Sequence, residues 1–163
     1  MAFTMHLKFS GGTLKVTGDS VFPGHKNEIQ ILSWGWGVTN KADLHRSGNS
    51  STGNTAQAGD IQILKNADAA STAIFQGCTD GLRAEDAYIS ITNNIDFFTV
   101  HLSNVAITSV STSANTGGDH VAEELWLHFS KIEYAFTPQD DQGKAKGGTK
   151  TFSYDTKAPK QDS

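Results

Sequence analysis

The residues able to do chemistry are few and scattered. Six histidines occur, at His6, His25, His45, His101, His120 and His128. None forms an HxH or HExxH pair, and none sits beside a cysteine, so no metal-ligand spacing is present. They read as surface or filler positions. Cys78 is the sole cysteine. Its context offers no nucleophile motif, and a buried free thiol behaves as a small hydrophobe. Acidic pairs stand at Glu85-Asp86, Glu123-Glu124 and Asp140-Asp141. Adjacent carboxylates on a strand point to opposite faces, so none makes an acid/base pair, and loop acids are solvated. Gly35-x-Gly37 lacks a third glycine and opens no helix, which excludes a dinucleotide loop. Catalytic, metal and cofactor residues are therefore not expected. What remains is a binding or assembly module.

Composition narrows the class further. The chain has 163 residues, enough for one domain with a real core. Thirteen basic and 17 acidic residues give a formal charge of −4. That balance argues against neutralising a phosphate backbone, hence against nucleic acid as a partner. One cysteine excludes an internal disulfide. The start, MAFTMHLKFSGG, lacks the charged and apolar regions of a secretory signal. No apolar run reaches the roughly 20 residues of a membrane helix. Export, if any, is expected by a signal-independent route from the cytoplasm, without membrane insertion.

The elements are mostly strands. Phe3, Met5, Leu7 and Phe9 alternate with polar residues, as a half-buried strand does. Leu14 and Val16 suggest a short second strand, and residues 18–26 a loop. The run EIQILSWGWGVTN, residues 28–40, is predicted as a strand with two unlike faces. Leu32, Trp34, Trp36 and Val38 form a bulky face. Ile29, Ile31, Ser33, Gly35 and Gly37 form a face that turns small, where a neighbour could approach closely. Residues 41–57 are polar and Gly/Ser-rich except for Leu44, a long loop of the kind that carries function or tolerates insertion. Ile61 and Ile63 mark another strand. Ala70, Ile74 and Cys78 at four-residue spacing mark one helix over 68–78. Asn66 or Asp68 could cap it, and Gly77 and Gly81 could stop it.

Ala87, Ile89 and Ile91 alternate. Phe98, Val100 and Leu102 then share one parity, and Val105 and Ile107 the other, which predicts a bulge near Ser103-Asn104. Leu125, Leu127 and Phe129, then Ile132, Tyr134 and Phe136, show a similar break. Phe152 and Tyr154 end the series, and residues 157–163 read as a frayed tail. Seven to nine strands, long and twice bulged, predict a small antiparallel β-barrel of two curled sheets with one short helix alongside. The whole is read as a single domain over residues 1–156.

Four segments, in this order, resemble the Hcp (haemolysin-coregulated protein) family: EIQILSWGWGV, GDIQILKNADAASTAIFQGCTDG, HLSNVAITSVSTSANTGGD and EELWLHFSKIEYAF. The resemblance extends from Phe3 to Tyr154. It implies a tube subunit of bacterial type VI secretion, without enzymatic activity or cofactor. It implies homo-hexameric rings stacked head-to-tail, a VgrG-like spike protein at the tip, sheath and baseplate components around the tube, and secreted effectors in its lumen. On that reading Ser33, Gly35 and Gly37 face the lumen or a neighbouring subunit. The loop 41–57, through Asp43, Leu44, His45, Arg46, Ser47 and Gly48, reaches the next ring. The competing reading is a monomeric ligand-binding barrel that takes carbohydrate on exposed Trp34, Trp36 and Trp126. A small hydrolase would instead require histidines and carboxylates that converge in space.

Overall fold

A computed structural model describes residues 2–40 and 56–156. The strands are β1 (Thr4–Ser10), β2 (Ile29–Ile31), β3 (Ser33–Gly35), β4 (Val38–Asn40), β5 (Ala56–Ala58), β6 (Ile61–Asn66), β7 (Arg83–Thr92), β8 (Asp96–Ser113), β9 (Ala122–His128), β10 (Lys131–Phe136) and β11 (Lys150–Asp155). The helix α1 (Ser71–Asp80) lies between β6 and β7. Nine strands form one antiparallel sheet in the order β2-β1-β7-β8-β9-β6-β3, with β10 and β11 branching from β8. The β4 and β5 strands make a separate ribbon.

The sheet curls because β8 serves two layers. Phe98 to Ser103 pair with β10, and Ala106 to Ser113 pair with β9. Val100 and Leu102 are buried before the change of layer, Val105 and Ile107 after it. Asn104 absorbs the parity switch with φ 55°. A left-handed residue is costly for most side chains but tolerated by Asn. The ladder to β7 keeps one register through this point, so the parity switch is a local left-handed turn of the strand and not the expected bulge. The register shift on β8 falls later, between Ile107 and Ser109. The break between Phe129 and Ile132 is the passage from β9 to β10, closed by the Ser130 N–H donating to the Ser103 carbonyl at 3.0 Å. The result is two curled sheets around one core, with the hydrogen-bonded ladder left open.

Among the described residues there are eleven strands, because Ala56–Ala58 adds β5 and the tryptophan segment is not one strand but three. Its first part pairs with β1 and its next part with β6. Those partners lie far apart in the sheet, so the segment must bend between them. The bend falls at Leu32, which is exposed. The inward set shifts there from Ile29 and Ile31 to Trp34 and Trp36. The expected continuous faces, Leu32 with the tryptophans and Ile29 with the glycines, are therefore corrected. Leu14 and Val16 form no strand either. Both edges of β1 are already taken, by β2 and β7, and the following segment finds no free ladder. Leu14 is buried instead against Gly77, whose added Cβ would lie 2.4 Å from Leu14 Cδ1.

The helix begins three residues later than its spacing suggests. Asp68 shapes the turn before it, its carboxylate accepting from the Ala70 N–H at 3.0 Å. Gly77 lies inside the helix, not at its end. Gly81 ends it with φ 66°, and the Leu82 N–H donates to the Gly77 carbonyl at 2.9 Å. That left-handed closure favours glycine.

Candidate assembly surface

Alternation along β3 sends Trp34 inward and leaves Ser33 and Gly35 on the outer face. Cross-strand register extends that face. Ser33 lies opposite Leu64 and Gly35 opposite Gln62 on β6. Those residues lie opposite Glu124 and Trp126 on β9, which in turn lie opposite Ser111 and Ser109 on β8. Gln62 donates to the Glu124 carboxylate across the strands. The outcome is a broad face of small and polar residues, with Leu64 exposed within it. Gly35 and Gly37 are exposed, and a Cβ added at either would meet nothing within 4 Å. Neither glycine is thus required by this chain's own packing.

Behind that face lies an aromatic layer. Trp36 packs on Tyr134 at 5.6 Å and Phe129 at 6.0 Å, and Trp34 packs on Phe98 at 5.9 Å. The Trp36 indole N–H donates to the Gly59 carbonyl at 2.8 Å, which pins the base of the β4–β5 ribbon. Burial pushes the Tyr134 phenol up to about 12. Trp34 and Trp36 are therefore core-packed and do not form the exposed platform that carbohydrate binding would need. Trp126 alone of the three projects from the outer face. The interior face of β10 and β11 is covered at Ile132 and opens toward Phe136 and Phe152, both exposed. Phe3, Phe97 and Phe136 continue that margin edge to face.

Part of the loop expected over 41–57 is structured. Ala56 and Gln57 pair with Asn40 and Thr39 in the ribbon. Asp43, Leu44, His45, Arg46, Ser47 and Gly48 lie outside the described residues.

The polar groups converge differently from expectation. His6 and His25 are buried, not surface groups, and their rings stack at 4.8 Å. Ser20 Oγ meets His6 Nε2 at 3.1 Å, but His6 Nδ1 is buried without a partner. A serine-histidine relay needs a carboxylate there. The carboxylates belong to His25, whose Nδ1 meets Glu28 at 3.0 Å and whose Nε2 meets Asp96 at 2.9 Å. Thr92 Oγ1 approaches His25 Nε2 at 3.2 Å, yet it is buried and donates its hydrogen to Asp96. His101 stacks on Tyr88 and bonds Asp86 at 2.7 Å, and His128 bonds Asp60 at 2.8 Å. Among the described residues, no group of three His, Cys, Asp or Glu side chains could hold a metal ion. Cys78 is half-buried and packs on the core.

One network has no counterpart in the sequence reading. Lys65 is fully buried, and its Nζ donates to Glu123 at 2.8 Å and to Asp68 at 2.9 Å. Ser71 Oγ adds a bond to Glu123 at 2.7 Å. Glu123 is thus a buried partner and not a solvated acid. The only sequence signal was a lysine at an inward parity on β6, which alternation alone would have flagged.

The fold defines a class: a small β module of two curled sheets with one helix alongside. The particular family is set by comparison. The family model for "Type VI secretion system effector, Hcp" matches residues 6–136, and the chain belongs to that family. It is 25% identical over 159 residues to the protein Hcp1 of Pseudomonas aeruginosa, covering 94% of this chain and 95% of that one. The solved Hcp1 of Salmonella typhimurium superposes with TM-score 0.76 at 26% identity, over 96% of this chain and 97% of that one. A solved type six secretion system protein reaches TM-score 0.84 at 24% identity, over 94% and 96% of the two chains. The chain is accordingly a structural tube subunit of type VI secretion, in a family of secreted, ring-assembling proteins. Among the described residues no helix is long and apolar enough to cross a membrane.

Proposed function

We propose that the chain folds as a single domain over residues 1–156 and closes into six-membered rings that stack head-to-tail. Contacts in a cyclic ring are heterologous, so two different surfaces of each subunit must meet. The exposed margin of Phe3, Phe136 and Phe152 supplies apolar area for one of them. Ser33, Gly35 and Gly37 face the lumen or the neighbouring subunit. The observation that carries this is the open space over Gly35, at the end of β3, and over Gly37 just beyond it, in a segment whose tryptophans pack inward on the core. Small residues there leave room for something outside the chain.

The β4–β5 ribbon leads into the segment holding Asp43, Leu44, His45, Arg46, Ser47 and Gly48, which reaches the next ring. Its lack of apolar anchors other than Leu44 suits weak, reversible stacking. The tube assembles in the cytoplasm and is expelled, together with a VgrG-like spike protein, by sheath and baseplate components. Effectors ride in the lumen. The role is structural, without catalysis or a cofactor. Light scattering on the purified protein, with negative-stain images of the same fraction, tests the reading. Rings of six subunits are expected. A monomer that persists at high concentration overturns it.

A further inference from the structure

His6 and His25 are buried, and their geometry is specific. His6 stands on the outer face of β1, opposite Gln30 of β2 and Ser90 of β7. Segment 18–28 folds over that face. It holds itself together through three backbone bonds: Gly18 N–H to Asn27 at 2.8 Å, Ser20 N–H to Glu28 at 3.1 Å and Asn27 N–H to Ser20 at 2.9 Å. Phe22 packs on the His6 ring at 5.3 Å and on the His25 ring at 6.1 Å. His25, carried by the segment, reaches across to Asp96 at the start of β8.

We propose that the stacked His6–His25 pair is a pH-sensitive latch. It holds segment 18–28 on the β1–β7–β8 surface when His25 is protonated and His6 is neutral. With His25 charged, each ring nitrogen donates to a carboxylate, Glu28 from the segment and Asp96 from β8. A neutral His25 has one N–H only, and its bare nitrogen would face a carboxylate oxygen. It can then donate to Glu28, a bond within the segment, or to Asp96, the bond that ties the segment to β8, but not to both, so the hold is weakened. A charged His6 would bury a second cation 4.8 Å from the first, and its Nδ1–H would have no acceptor. The charged groups facing the pair are Glu28 and Asp96 alone of their elements. The hydroxyls of Ser90 and Thr92 come from β7, and Lys8 of β1 and Lys26 of the segment are exposed at the rim.

Titration follows the geometry. For His25, burial acts to lower the pKa, but the hydrogen bonds to Asp96 and Glu28 outweigh it and raise the value above the ordinary 6.5. For His6, burial and then the neighbouring His25 lower it below 6.5. The contribution of His25 is therefore full below pH 6.5 and lost as pH rises through its raised pKa. That of His6 is full above 6.5 and lost as pH falls through its lowered pKa. The latch is tightest between the two midpoints, which bracket pH 6.5, and loosens on either side.

Hydrogen–deuterium exchange by mass spectrometry on the full, assembled protein tests this. Exchange at histidine Cε1 gives each ring's midpoint, and amide exchange of segment 18–28, corrected for intrinsic pH dependence, gives its protection. We expect separate midpoints on either side of 6.5. Protection should fall at acid and alkaline pH by about tenfold for each unit by which a midpoint is displaced. Asp96→Asn should lower the His25 midpoint and narrow the window from the alkaline side, and His25→Gln should abolish the alkaline limb. Coincident midpoints, protection that is flat with pH, or an Asp96→Asn profile identical to that of the unsubstituted protein overturns the latch.

Discussion

Replacing Gly35 with tryptophan separates the chain's own needs from those of the assembly. A Cβ at this position meets no atom within 4 Å, and the backbone there is not left-handed. The subunit should accept the side chain. Strand propensity spans about 1 kcal/mol and favours an aromatic residue over glycine, so stability should hold or rise slightly. At this chain length that is a melting-temperature change of roughly 2–4 °C for each kcal/mol. Against a packed neighbour the result differs. Overpacking costs about 1–3 kcal/mol at each contact, and six contacts in a ring bring the total to at least about 6 kcal/mol, more than a ten-thousandfold loss of closed rings. If the residue faces the lumen, rings should form but lose co-purifying cargo. Gly18→Trp is the contrast. Its Cβ would lie 2.2 Å from the Glu28 carbonyl oxygen, a backbone atom, so segment 18–28 cannot close on itself and the subunit, not only its assembly, should lose stability. Melting curves with light scattering and cargo pull-down read all three outcomes. A Gly35→Trp protein that unfolds as Gly18→Trp does, or one with unchanged rings and cargo, would refute the reasoning.

Removing residues 43–48 should leave rings intact and prevent tubes, as seen by negative stain; intact tubes would end the stacking role. Lys65→Met leaves Glu123 buried without its cation and should cost about 3–5 kcal/mol in denaturant unfolding, while Lys65→Met with Glu123→Leu should recover most of it. An unchanged midpoint for the single variant would show that the pair is not buried as described. Tyr134 should ionise near 12 instead of 10 in an absorbance titration, as burial disfavours the phenolate. Tyr134→Phe should remove that late step. Asp96 is pressed upward by its burial but held low overall by its bonds to Thr92 and His25. Its stabilisation is therefore present above its ordinary 3.8 and lost as pH falls through the depressed value. Asp96→Asn should flatten that acid limb in melting curves, and an unaltered limb would count against the His25–Asp96 contact.

Much of the strand pattern was legible because one face of each strand is buried and the other wet. The alternations in β1, β7, β9 and β10 read directly, and the parity break at Ser103-Asn104 showed where β8 changes layer. The same rule failed at Leu32, where the local pattern stays regular while the chain changes partner strand. It also failed at Leu14, where alternation was real but no free strand edge lay within reach. Glu123 gave no sign of a buried partner because its cation comes from Lys65, 58 positions away. On the outer face of β3 the small residues Ser33 and Gly35 were visible as a pattern, but the open space over Gly35 was not.

By itself the sequence determined the periodicities, the single helix, the lack of motif-spaced reactive groups and, through the order of four segments, the family. These are properties of neighbours along the chain, read within a few residues or as a linear succession. Tertiary structure decided which strands meet, which polar groups lose water and what pairs with them. His25 and Asp96 are 71 positions apart, and only the crossing of segment 18–28 over β1, β7 and β8 brings them to 2.9 Å. The charge that a buried ring or carboxylate can hold depends on such contacts, because in a region shielded from water the nearest partners set the balance between charged and neutral forms.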